Sequence, residues 1–192
     1  YDGDGRVEEA IKLYDRVLEL DPAGAPLTQY VRFLTFFHYG RFAEAERAIR
    51  RSVELEPSAN SCAGLVMLLL TAKGDREEAA RVLAAVPAAV RNEPRIIWVE
   101  ATTHLHRRDP EAVLRVLSRL SADYIQDNWF SGPKAYFAGI AHTEAGRHEA
   151  ARVEWQSALA IVDASLKETP GSWFSHLNRG QLLAWLGQTD EA

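Results

Sequence analysis

The sequence has one cysteine, Cys62, and one methionine, Met67. A single thiol excludes an internal disulfide framework and fits a reducing, cytoplasmic setting. No segment alternates polar and apolar residues with a period of two, so no strands are expected. No glycine-rich phosphate loop or Gly-x-Ser-x-Gly elbow has a strand to follow. The longest apolar run, Cys62 to Ala72, is 11 residues, well short of the roughly 20 that cross a bilayer. The 27 acidic and 22 basic residues give a net charge of −5 with no concentrated basic stripe, which argues against nucleic acid as a partner.

Metal chemistry is equally poorly provided for. Histidines 38, 104, 106, 142, 148 and 176 include no pair three or four apart, the spacing at which two side chains share a helix face. His104 and His106 point away from each other. Asp2-Gly3-Asp4-Gly5 begins like a calcium loop, but Arg6 and Val7 break the required acid spacing, so it reads as a turn between helices. No metal, cofactor or catalytic set is expected, and the chain does not read as an enzyme.

What the sequence does have is recurrence. In the segment from Gly40 to Pro57, a glycine ends one helix and a second helix follows over Phe42 to Leu55, with Ala45, Ile49 and Ser52 on one stripe and Pro57 as its stop. Gly5, Ala10, Tyr14 and Pro22 repeat the pattern, as do Gly74, Ala79 and Leu83, then Gly146, Ala151 and Trp155, and finally Gly187 and Ala192. The marker alanines 10, 45, 79, 112, 151 and 192 are separated by 35, 34, 33, 39 and 41 residues. Between Arg107 and Glu111 the glycine is missing, and Asp109-Pro110-Glu111 supplies a cap, a first-turn proline and a first-turn acid instead.

A period near 34 with a small residue in the first helix, Ala-x3-aromatic in the second and a closing proline resembles the tetratricopeptide repeat. The resemblance implies an all-α, right-handed superhelical solenoid of antiparallel helix pairs, read as one domain over 1–192. Its copies fall at 1–22 (partial), 26–57, 60–93, 94–121, 132–168 and 173–192 (partial). Tyr1 and Ala192 both lie inside incomplete copies, so the chain reads as part of a longer protein. Core surface bared at such ends can draw copies into self-association. The small slot of the first helix falls at Phe33, Met67, Glu100, Gly139 and Gly180, so the second and third copies carry bulk where helices are expected to approach closely. Ser121 to Pro133, with Tyr124, Ile125, Trp129 and Phe130, is an irregular insert. Its Trp129 and Phe130 are expected to fold back over the end of the helix Glu111 to Leu120, or else to rim the concave face.

The resemblance also implies a concave face lined by first helices. The slots that flank the small position give a ligand groove containing Tyr30, Leu34, Phe37, Leu68, Ile97, His104, Tyr136 and Ile140. This set is apolar and aromatic, unlike the lysine-, arginine- and asparagine-lined clamps with which some family members hold acidic tails. The expected function is a scaffold that binds a peptide, a helix or a partner domain. A second expectation is a regulatory or sensory array of a larger bacterial signalling protein (a nucleotide cyclase, Ser/Thr kinase or winged-helix regulator). It rests on a looser likeness in Trp155-Gln156-Ser157-Ala158-Leu159 and Leu182-Leu183-Ala184-Trp185-Leu186-Gly187.

Overall fold

The computed structural model describes residues 3–127 and 129–188. Tyr1 and Ala192, which the repeat pattern places in partial copies, lie outside the described residues. The chain divides into two compact units, Tyr1–Val99 and Glu100–Ala192.

The first unit contains α1 (Gly3–Leu20), α2 (Ala25–His38), α3 (Phe42–Leu55), α4 (Ala59–Leu68), α5 (Arg76–Ala84) and the start of α6 (Pro94–His106). Gly3 to Gly5 are already helical, so the expected turn there is absent. Each glycine costs a helix only about 1 kcal/mol relative to alanine, too little to stop one that continues for four more turns. The short links between helices force antiparallel neighbours. Gly74 ends the α4 segment with φ +65°, after one π turn over Leu69–Lys73. Asp75 then caps α5 by accepting from the Glu78 N–H at 2.9 Å, which satisfies one of the orphan donors of a helix start. Arg91 closes the other end of α5, donating to the carbonyls of Ala84 and Val86.

Ala45 and Ala79 have no exposed surface, because at these positions a larger side chain would hold neighbouring helices apart. The core around them is Phe33, Ile49, Leu68, Leu69, Ile96 and Ile97, all essentially enclosed. The bulk at Phe33 is accommodated by Gly64 on α4, whose missing side chain leaves room for the ring.

The second unit contains the rest of α6, α7 (Pro110–Leu117), a small hairpin of β1 (Tyr124–Gln126) and β2 (Ser131–Pro133), α8 (Lys134–Glu144), α9 (His148–Glu168) and α10 (Trp173–Trp185). Asp109 caps α7 through the Ala112 N–H at 3.1 Å, the role its sequence context assigns it. Ala112, Ala151 and Ala158 are buried, with Val113, Val162, Leu182 and Leu183.

The hairpin corrects the expectation that the chain has no strand. Its register pairs Tyr124 with Pro133, Ile125 with Gly132 and Gln126 with Ser131. Three residues per strand are too few to show an alternating pattern in sequence, and Gly132 and Pro133 suppress the usual strand composition. Ile125 and Gly132 form the buried face. A side chain at position 132 would strike Asn178 and Phe130.

Candidate peptide-binding face

The first helices carry the groove residues, and the structure sorts them into two groups. Leu68 and Ile97, at 0% and 1% exposure, are core residues and offer nothing to a ligand. Their helices are apolar on nearly all sides, so slot counting could not separate the packed face from the open one. Tyr30 is also buried, and Arg95 Nη1 lies 3.5 Å from its hydroxyl while donating to Asn60 Oδ1 at 2.6 Å. Arg95 and Asn60 were missed by sequence reasoning because neither occupies a groove slot. Each lies one or more turns from the small position of its helix, where a long polar side chain can still reach across. Leu34 and Phe37 remain half-buried on α2, with Phe37 packed against Phe33 and Phe42.

His104 is partly buried near the end of α6. Its Nδ1 is 3.9 Å from Asp109 Oδ2, too far for a hydrogen bond. Burial holds its pKa below the ordinary value of 6.5, since removing water penalises the charged ring. Thus the surroundings of His104 are those of the α6–α7 turn.

The second unit brings the remaining predicted residues together. Tyr136 and Ile140 stand one turn apart on α8, and the Tyr136 hydroxyl donates to Gln181 Oε1 on α10 at 2.5 Å. The Tyr136 ring lies 5.0 Å from Trp185, and Trp185 lies 5.0 Å from Trp155. On the other side Phe130 from the hairpin packs on Tyr136 at 5.5 Å and edge-on to Phe137 at 4.7 Å. The ring of Phe130 therefore rests on α8, not over the end of α7. Burial pushes the Tyr136 phenol upward, so it stays neutral and a donor across the physiological range.

Leu177, Gln181 and Trp185 follow at intervals of four on α10. Leu177 is 50% exposed and Trp185 39%. A cleft of about 420 Å³ adjoins the two tryptophans, bordered by Thr143, Glu149 and Arg152. Trp155 itself lies across Gly139, its indole N–H buried against the helix without a hydrogen-bond acceptor. This is the close contact that the small slot of the repeat provides, and it fixes the tryptophan platform against α8. No group of three or more histidine, cysteine or acidic side chains among the described residues could hold a metal ion. No described helix is long and apolar enough to cross a membrane.

The tetratricopeptide repeat family model matches residues 1–23. The match covers one tetratricopeptide repeat at the start of the chain. Beyond the match, the antiparallel helix pairs, the buried alanines 45, 79, 112 and 151 and the Gly139–Trp155 contact resemble the same arrangement. Among solved structures, the chain is similar to one of a MamA mutant, at 12% identity and a TM-score of 0.47, over 87% of this chain and 91% of that one. No curated protein matches the sequence.

Proposed function

We propose that the chain is a protein-binding scaffold, and that the face shared by α8 and α10 grips a peptide or helix through apolar and aromatic contacts. The observation that carries this reading is the connected run Phe130, Tyr136, Trp185 and Trp155, flanked by exposed Leu177. Aromatic side chains dominate interface energy once a partner desolvates them, and their rigid rings lose little conformational freedom on binding. The Tyr136–Gln181 hydrogen bond supports the reading further, because it holds the two helices' side chains in one surface before any ligand arrives.

The test is a pull-down from the source cell with the chain and with Leu177→Ala and Tyr136→Ala. Partners of an apolar face survive about 0.5 M salt, since screening weakens exposed charge pairs and leaves apolar burial intact. They should be lost with either variant. Partners that persist in both variants yet wash off in salt would overturn the apolar reading and direct attention to a charged surface.

A further inference from the structure

We propose that the outer edge of β1 is a docking strand, and that an extended segment of a partner protein adds to the hairpin there as a third strand. The ladder itself determines which backbone groups are free. Asp127 N–H donates to the Phe130 carbonyl and Lys134 N–H to the Asp123 carbonyl, each at 2.9 Å. In an antiparallel pair, hydrogen-bonded residues alternate with residues whose N–H and C=O point away from the partner strand. Asp123, Ile125 and Asp127 therefore face β2, while Tyr124 and Gln126 turn both of their backbone groups outward.

The two edges of the hairpin are treated differently. β2 packs against α8, α9 and α10. Its outward Ser131 carbonyl accepts from Asn178 Nδ2 at 2.7 Å, and Pro133 has no N–H to satisfy. On β1 the outward groups of Tyr124 and Gln126 have no partner among the described residues. Ile125 is only 3% exposed, so the strand is anchored by its inner face and open along its edge. A sheet edge of this kind binds extended chain by main-chain hydrogen bonds, and side chains on alternate positions add selectivity.

The charges around the edge indicate the kind of partner. Two copies of β1 pairing antiparallel about Ile125 would set Asp123 of each against Asp127 of the other, and like charges directly opposite are unfavourable. The Asp123 side chain is 74% exposed; its Oδ1 pairs with Lys134 Nζ at 2.9 Å, and its second oxygen stands open to a further cation. An incoming strand with β-branched residues at its centre and Lys or Arg opposite Asp123 fits instead.

The experiment selects a displayed library of random peptides, about twelve residues long to span a strand with flanks, on the whole chain. The selected peptides are then measured against Gln126→Pro. Proline there removes an outward N–H and leaves the β1–β2 ladder intact, which slow exchange of the Ile125 amide verifies. If that amide exchanges fast, Tyr124→Pro removes the other outward donor in its place. The expected result is peptides with alternating β-branched residues and a basic flank, weakened about tenfold or more by the proline, a loss of the size that backbone hydrogen bonds account for. Peptides that bind the proline variant as they bind the parent overturn the proposal, as does a selection that returns none. A parent chain that sediments as a dimer and becomes monomeric with Gln126→Pro overturns the partner assignment in favour of a second copy.

Discussion

The ring of Phe33 fills the space that a side chain on Gly64 would need: a β-carbon built on Gly64 falls 2.8 Å from Phe33 Cε1 and 3.2 Å from Ile49 Cδ1. The first helix of one copy is large where the repeat calls for small, and the next copy is small to receive it. Gly64→Ala should therefore destabilise the chain by about 1 to 3 kcal/mol, the usual cost of overpacking. Phe33→Leu in the same chain should recover part of that loss, and chemical denaturation of the two singles and the double checks the coupling.

Arg108 is the only described non-glycine residue with positive φ, at 56°. It sits 34 residues after Gly74, which has φ +65° and ends the corresponding first helix. A side chain in this conformation places Cβ too near the following carbonyl oxygen. Arg108→Gly should raise stability by about 0.5 to 1 kcal/mol after the extra freedom of glycine in the unfolded chain is subtracted. An unchanged or lowered unfolding midpoint would show that Arg108 contributes more through its charge than it costs in strain.

The pH dependence follows from His104. Its pKa in the folded state is lowered by burial, opposed by Asp109 and Glu100 and helped by Arg107 and Arg115. The unfolded chain therefore binds the proton more readily, and stability falls as pH drops through the ordinary value of 6.5 toward the lowered one. His104→Gln should flatten that part of the curve in thermal melts at about pH 7.5 and about pH 5.5. An identical slope in the variant would assign the acid sensitivity to other groups.

Cys62 is 2% exposed, and burial raises its thiol pKa. Both effects suppress the thiolate, the reactive form. A thiol reagent should label the native chain far more slowly than the denatured one, with the native rate tracking local opening. Rapid labelling at neutral pH would mean that the α3–α4–α5 packing opens readily.

The repeat architecture was legible because its signals are local. The marker alanines Ala45, Ala79 and Ala151 are buried, Asp109 caps the helix it precedes, and α3 has the boundaries its stop signals predict. The hairpin was not legible, since its stability comes from Asn178 and from packing of Ile125 that no short window contains. For the residues expected to line a groove, the helix that carries each was legible and its burial was not. Slot counting identifies the helix but not which of its faces a neighbour covers, so Tyr136 is brought against α10 while Leu68 and Ile97 are enclosed.

Repeat stacks fold nearly as one-dimensional chains, each unit gaining stability only from its immediate neighbours. The Asn178–Ser131 hydrogen bond spans 47 residues and Arg95 reaches Tyr30 across 65. Such links raise the mean sequence separation of contacts, which slows folding relative to a purely local helical array. They also couple the fraying of α10 to the hairpin. End-to-end unzipping, the usual failure of a linear array, is thereby replaced in each unit by a more nearly all-or-none transition.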